Sequence, residues 1–222
     1  MKTIAFTFIS TIVFLSASAQ SKLLEEVFRL LPADKLFNLT IETRDSMLMG
    51  KTYYPADNDS NSIQAYNYGI STYVNDYMYV SMHFETAQRG SGMIEIRSFK
   101  TTKGENLIVV SESGGVTGIN YQQNDLSSFT YDAQKRLRLY ENNLFPLIDE
   151  SIFMKTGIPD SIKKTILDNS NMSFNFSTEK PILELNSDYL TSNKTVKKWL
   201  KGDFVEFKWT GDKFIIDAIG FE

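Results

Sequence analysis

The sequence predicts an α+β fold in which short N-terminal helices pack on an antiparallel meander sheet, followed by a smaller helix-plus-hairpin region. Three observations support this prediction. Apolar residues recur at helical spacing over residues 22–31, the pattern changes to a two-residue alternation from Tyr77, and helical patterns return after Pro146. The 222 residues suit one large domain or two small ones. We therefore divide the chain into residues 20–146 and 147–222, the second region being either separate or part of the same domain.

The N-terminal helices are predicted from apolar spacing and from residues that end helices. One helical face carries Leu23, Leu24, Val27, Phe28 and Leu31, and Pro32 ends that helix. Asp34 is expected to cap a second short turn. A further helical turn is expected over residues 43–49, closed by Gly50, because glycine is common just after a helix end.

The first predicted strand begins at Tyr77 and alternates between two faces. One face carries Met78, Val80, Met82 and Phe84, which we expect to pack on the helices. The opposite face carries Tyr77, Tyr79, Ser81, His83 and Glu85, and we expect it to be exposed to solvent.

The remaining strands are evenly spaced, which indicates a meander. Turns are predicted at residues 89–92, 103–105, 113–115 and 132–134. After Pro146, helices are predicted over residues 147–154 and 159–167, and strands over residues 172–176, 183–185, 205–209 and 214–216.

The first nineteen residues have the pattern of a signal peptide. Lys2 is followed by an apolar stretch over residues 4–15 and by Ala17-Ser18-Ala19, which predicts cleavage before Gln20. The apolar stretch is too short to span a bilayer, so no membrane span is expected. We expect an exported protein in a bacterial periplasm or at the cell exterior. The chain has no cysteine, which excludes disulfides, thiolate zinc sites and a lipid anchor on a lipobox cysteine.

Composition and motifs also exclude several kinds of site. The net charge of −4 argues against binding to nucleic acid and to anionic membrane surfaces. The basic clusters at Lys163-Lys164 and at Lys197-Lys198 with Lys201 are short, and we expect them to lack interleaved stacking aromatic residues. His83 is the only histidine, so a two-histidine metal site is excluded. We expect no metal and no cofactor, because no intact motif for either is present.

The candidate binding site is a cluster of tyrosines. Its predicted members are Tyr66, Tyr68, Tyr73, Tyr77 and Tyr79, with His83 on the same face as Tyr79. Tyrosine combines a flat apolar ring with a polar hydroxyl, which suits contacts with peptides, proteins and sugars. The alternative interpretation is that these tyrosines are ordinary strand residues, which strands favour.

These observations favour a non-catalytic binding module of the bacterial envelope whose ligand is a protein or peptide. The alternative is a carbohydrate- or peptidoglycan-binding module, including a hydrolase that uses acidic side chains. Candidate acids for such a pair are Glu85, Glu95 and Glu112. Paired carboxylates hydrolyse glycosides only at defined separations, which a sequence does not give.

Several short motifs resemble one family of exported proteins from gut bacteria. They are Leu31-Pro32-Ala33-Asp34-Lys35-Leu36-Phe37-Asn38-Leu39-Thr40, Arg44 with Met47-Leu48, Asn75-Asp76-Tyr77-Met78, Leu107-Ile108-Val109-Val110, Phe129-Thr130-Tyr131-Asp132 and the run from Phe207 to Phe214. That family is known only as a domain of unknown function. The resemblance implies export and a non-enzymatic role, and it supplies no substrate or catalytic residue.

Overall fold

The computed structural model of the protein describes residues 22–51, 65–74, 76–85, 90–116, 122–146 and 148–221. The predicted signal peptide and the predicted turn residue 89 lie outside this part of the chain. None of the helices in these ranges is both long enough and apolar enough to cross a bilayer.

The first sheet is an antiparallel meander of six strands in chain order. They are β1 (Ala65–Val74), β2 (Tyr77–Glu85), β3 (Gly90–Lys100), β4 (Asn106–Val116), β5 (Gln122–Tyr131) and β6 (Leu137–Leu139). Gly104 adopts a φ of +81° in the β3–β4 turn, a conformation that favours glycine. Asp132 shapes the β5–β6 turn, since its Oδ1 accepts from the backbone N–H groups of Gln134 (2.9 Å) and Arg136 (3.0 Å).

The N-terminal helices cover one face of this sheet. Helix α1 includes residues 22–30, a 3₁₀-helix spans Ala33–Lys35, and α2 spans Ile41–Leu48. The buried Arg44 joins α2 to the end of α1, because its Nη1 donates to the carbonyls of Phe28 (3.2 Å) and Leu31 (2.6 Å). Carbonyls at a helix end lack intrahelical donors, so this contact satisfies them.

The core on this face joins helices and sheet as predicted. It includes Leu24, Val27, Phe28 and Leu31 of the first helical segment, and Met78, Val80, Ile94, Ile96, Ile108 and Val110 of the strands. The prediction that Met78 and Val80 face the helices is confirmed. The side chain of Phe84 lies outside the described residues.

A second, four-stranded antiparallel sheet follows in the order β10-β9-β8-β7. Its strands are β7 (Met172–Asn175), β8 (Ile182–Leu185), β9 (Phe204–Trp209) and β10 (Phe214–Gly220). A 3₁₀-helix at Glu150–Phe153 and helix α3 (Asp160–Asn169) precede it, and α4 (Asp188–Ser192) and α5 (Lys194–Lys197) connect β8 to β9.

The second sheet packs on the other face of the first sheet through aromatic side chains. Phe145 stacks on Phe214, with ring centroids 4.4 Å apart, and contacts the ring of Phe174 at 4.7 Å. Phe99 of β3 contacts Phe214 edge to face at 5.0 Å. Since Phe99, Leu107 and Val109 of the first sheet share this core, the first sheet is covered on both faces.

The α+β fold class and the antiparallel meander are confirmed. The turn predicted at residues 113–115 is wrong, because these residues lie within β4, and the turn predicted at residues 89–92 is wrong for residues 90–92, which lie within β3. Gly92 pairs directly with Gly114, where a Cβ on Gly114 would lie 3.2 Å from the Cα of Gly92. These glycines therefore permit a close approach of β3 and β4 rather than forming turns. Strand β1 was not predicted from the sequence.

Candidate functional site

A cleft of about 560 Å³ opens at the edge of the first sheet, where β6 ends. Its apolar lining comes from Val109, Leu126, Leu144, Phe145 and Ile148. Its polar lining comes from Ser127, Ser128, Tyr140, Glu141, Asn142 and Asn143, of which the last three are exposed. An apolar floor with a polar rim is typical of ligand-binding clefts.

The outer edge of β5 faces this cleft because β6 is too short to cover it. Strand β6 pairs only with residues 129–131, and the backbone N–H of Tyr140 donates to the carbonyl of Ser128 (2.8 Å). Within the described ranges, no strand pairs with the outer side of residues 122–127. The backbone N–H and C=O groups of successive strand residues point alternately to the two edges of the strand. Leu126 therefore directs its carbonyl to the same open side as Ser128.

A second cavity of about 310 Å³ lies between β5 and β7, and Ile148 lines both cavities. Gln123 joins the two sheets beside it. Its Oε1 accepts from the backbone N–H of Phe174 (3.0 Å), and its Nε2 donates to the carbonyl of Glu112 (2.8 Å). We refer to the two cavities with Ile148 between them as the β5 groove.

The charged side chains that line the β5 groove, among the residues the structure describes, are both acidic. They are Glu141 at the first cavity and Glu150 at the second. Complementary charge steers association and favours matching partners. The groove is therefore suited to a neutral or cationic ligand.

The predicted tyrosine site lies near the opposite edge of the sheet. Tyr66, Tyr68 and Tyr73 lie in β1 and pair in register with Phe84, Met82 and Met78. The side chains of these three tyrosines are outside the described residues, so their role stays a prediction.

Tyr77 and Tyr79 do not form an exposed surface, which corrects the prediction for this face of β2. Tyr77 is only 7% exposed and belongs to the core between the two sheets, and Tyr79 is half-buried against that core. His83 is exposed, farther along the strand. Alternation identified which residues share a face, but the second sheet covers the part that holds Tyr77.

Tyr77 belongs to a buried polar cluster centred on Glu95. The Tyr77 hydroxyl donates to Oε1 of Glu95 (2.8 Å), and the backbone N–H of Phe176 donates to the same oxygen (3.1 Å). Oε2 of Glu95 is buried and has no hydrogen-bond partner among the described residues. Burial raises the pKa of Glu95 to about 7, although the Tyr77 and Phe176 bonds oppose the rise. Burial, with Glu95 nearby, also raises the pKa of Tyr79.

Arg97 lies beside this cluster and ties β3 to the segment after β7. Its Nη1 donates to the carbonyl of Phe176 (2.6 Å) and to that of Thr178, and its Nη2 lies 3.5 Å from the Asp76 carboxylate. This side chain is buried. The cluster therefore holds the two sheets together, and none of its residues lines the β5 groove.

Glu95 and Glu112, two of the acids considered for glycoside hydrolysis, do not converge. In the pairing of β3 with β4, Glu95 lies opposite Ser111, and Glu112 lies opposite Ile94. Ile94 belongs to the core between the sheet and the N-terminal helices. Directly opposed residues share a face, so Glu95 and Glu112 lie on opposite faces of the sheet. The side chain of Glu85 lies outside the described residues.

Comparison with known proteins supplies a fold but no activity. No family model and no curated protein matches the chain. A solved structure, a domain of an uncharacterized protein from Porphyromonas gingivalis W83, is similar with a TM-score of 0.56 at 12% identity. The similarity covers 88% of this chain and 98% of that one. At this identity, it concerns the fold alone.

The residues of the β5 groove were not identified from the sequence. The available signal is a difference in strand length. The apolar pattern of β6 ends after Leu139, and Glu141-Asn142-Asn143 and Pro146 follow within a few residues. A three-residue strand beside a ten-residue one leaves an open edge.

Proposed function

We propose that this protein is a non-catalytic binding module that holds an extended peptide segment of a partner protein in the β5 groove. The observation that carries this proposal is the open edge of β5 beside an apolar cleft. A peptide that adds a strand to such an edge gains main-chain hydrogen bonds, while alternate side chains enter pockets. The signal-peptide pattern at residues 1–19 supports action in the periplasm or at the cell exterior.

The lining of the groove specifies the chemistry of the peptide. Leu126, Phe145 and Ile148 suit apolar side chains at alternate positions of the bound strand. Glu141 and Glu150 suit a lysine or arginine at either end. A proline at a position that donates to the carbonyl of Leu126 is unfavourable, because proline lacks the N–H.

Selection from a random peptide library, followed by calorimetry on the selected sequences, tests this proposal. We expect alternating apolar residues with lysine or arginine among the peptides that bind. The variant Leu126→Pro should weaken binding roughly tenfold relative to Leu126→Ala. Both substitutions remove the leucine side chain, but only proline also removes the backbone N–H of residue 126, which points to the same open side as its carbonyl. Equal affinities for the two folded variants would exclude strand addition.

Charge reversal tests the acidic lining separately. Glu141→Lys with Glu150→Lys should lower the affinity for a selected cationic peptide by roughly tenfold. The control is Glu179→Lys with Asp212→Lys, which makes the same change in net charge at exposed positions outside the groove. A similar loss in both double variants would show a non-specific charge effect instead of recognition in the groove.

The second candidate function is carbohydrate or peptidoglycan binding, which the polar rim of the cleft favours. Tyr140 offers a half-buried ring, and Asn142 and Asn143 offer amides suited to sugar hydroxyls. A glycan array that includes muropeptides distinguishes the two functions. Glycan binding that is lost in Asn142→Ala and Asn143→Ala, without selection of any peptide, would support this candidate instead.

A further inference from the structure

A group of lysines surrounds the short helix α5, and none of them lines the β5 groove. We name it the basic ridge, and it consists of Lys155, Lys194, Lys197, Lys198 and Lys201. Two segments bring it together, because Met154 and Leu200 form an isolated β-bridge. The Lys155 ammonium donates to the carbonyl of Lys198 (2.8 Å), and the backbone N–H of Lys201 donates to the carbonyl of Phe153 (2.7 Å).

The ridge lysines are not neutralised by ion pairs within the described residues. The ion pairs of lysine in those ranges engage Lys35, Lys135, Lys164 and Lys180. The protein as a whole carries a net charge of −4, so the ridge is a local concentration of positive charge on an acidic molecule. The ammonium groups of Lys155 and Lys201 also donate to the carbonyls of Lys198 (2.8 Å) and Ile152 (3.3 Å), which leaves their positive charge in place. The ridge therefore attracts an anionic partner.

Aromatic side chains accompany these lysines. The Lys197 ammonium lies 4.6 Å from the ring centroid of Phe221, and the Lys198 ammonium lies 5.9 Å from that of Trp199. Phe221 is 38% exposed, and Trp199 is partly exposed. The expectation that these lysines lack interleaved aromatic residues is wrong, because Trp199 lies between Lys198 and Lys201 and the fold adds Phe221, which follows β10.

We propose that the basic ridge binds the surface of an anionic lipid bilayer. Lysines near a bilayer of anionic lipids gain electrostatic attraction, and aromatic side chains are favoured at the level of the headgroups. The association is peripheral, through side chains on one surface of the protein, and independent of the β5 groove.

The composition of the ridge favours lipid over nucleic acid. Its cations are all lysines, which act as point charges and lack the planar fork with which arginine recognises individual phosphates. Phe221 is exposed at its edge and offers apolar surface to the acyl boundary. The overall negative charge of the protein repels a long nucleic acid that would wrap around it. It affects contact of one surface with a bilayer less, because salt screens the more distant charges.

Co-sedimentation with vesicles tests the proposal. The probes are vesicles of phosphatidylglycerol and phosphatidylcholine in equal parts, and vesicles of phosphatidylcholine alone. We expect at least roughly tenfold stronger partitioning to the anionic vesicles, decreasing as salt is raised. The triple variant Lys197→Gln, Lys198→Gln, Lys201→Gln should lose roughly tenfold or more of this binding. Phe221→Ser should weaken the component of vesicle binding that persists at high salt.

The control variant carries Lys51→Gln, Lys103→Gln and Lys208→Gln, three exposed lysines that lie after α2, in the β3–β4 turn and in β9. It makes the same change in net charge and should bind like the unmodified protein. Thermal melts establish whether each variant is folded. If the triple variant is unfolded, the single variant Lys198→Gln replaces it in the vesicle assay. Equal losses in the ridge and control variants would overturn the proposal. Binding of a labelled single-stranded oligonucleotide through the ridge, without binding to vesicles, would also overturn it.

Discussion

The hydroxyl of Tyr77 donates a hydrogen bond of 2.8 Å to Oε1 of Glu95, beneath the second sheet. The same oxygen accepts from the backbone N–H of Phe176, so one carboxylate joins β2, β3 and the segment that follows β7. Glu95 is only 3% exposed. Its ionisation therefore affects how firmly the two sheets are held together.

The stability of the protein should depend on pH through Glu95. Burial raises its pKa to about 7 in the folded protein, whereas an unfolded glutamate titrates near about 4.3. The folded state thus favours the neutral carboxyl. This contribution is fully present below about pH 4.3 and is lost as the pH rises through about 7, and it amounts to about 4 kcal/mol. Urea unfolding at several pH values should show this decrease, and Glu95→Gln should remove most of it.

The control for this series is Glu179→Gln, because Glu179 is exposed. It should retain the pH dependence of the unmodified protein. Burial also raises the pKa of Glu112, so a smaller slope should remain in Glu95→Gln. If Glu95→Gln keeps the full slope, Glu95 is not the group responsible.

Tyr77→Phe should destabilise the protein and shift the same titration. The substitution removes one hydrogen bond to a buried carboxyl, at a cost of about 1–3 kcal/mol in the free energy of unfolding. That bond lowers the pKa of Glu95, so its loss should move the midpoint of the pH dependence upward. The half-exposed Tyr189 offers the control Tyr189→Phe, which should change neither quantity. A downward shift of the midpoint would contradict the assigned hydrogen bond.

Arg97→Met should be more damaging than most substitutions of a charged residue. It leaves the carbonyls of Phe176 and Thr178 without their donor and removes the cation beside Glu95. Loss of one member of a buried charged group costs about 3–5 kcal/mol. Arg97→Lys should be nearly as destabilising as Arg97→Met, since a single ammonium does not reproduce the hydrogen-bonding fork of the guanidinium. Urea unfolding measures both, with the exposed Arg138→Met as the control. Unfolding midpoints that match in Arg97→Met and Arg138→Met would contradict this role.

The sequence predicted the parts of the fold that depend on local pattern. Apolar spacing over residues 22–31 and the alternation from Tyr77 identified a helix and a strand because their periods of 3.6 and 2 are visible along the chain. Gly104 marked a turn because its positive φ favours glycine. Gly92 and Gly114 do not form the predicted turns, since a close approach of two strands selects glycine for a different reason.

The candidate site depends on packing between distant segments, which local pattern does not contain. Alternation placed Tyr77 and Tyr79 on one face of β2, but whether that face is exposed depends on a sheet formed about a hundred residues later. The β5 groove results from the relative lengths of β5 and β6 and from the path of Phe145 between the sheets. The basic ridge requires Phe221 to return to α5. Each of these relationships is a long-range contact.

Gly202→Ala should strongly destabilise the second sheet. A Cβ at Gly202 would clash with the carbonyl oxygen of Gly220 and would lie 2.7 Å from its nitrogen. These are backbone atoms of β10, and the same carbonyl accepts from the backbone N–H of Asp203 (2.8 Å), so it has little freedom to move. Overpacking of this kind costs about 1–3 kcal/mol or more, and we expect the upper end. In Gly69→Ala, by contrast, the new Cβ meets no atom within 4 Å, so urea unfolding should show unchanged or slightly increased stability. Equal stability of Gly202→Ala and Gly69→Ala would mean that Gly202 and Gly220 do not approach this closely in solution.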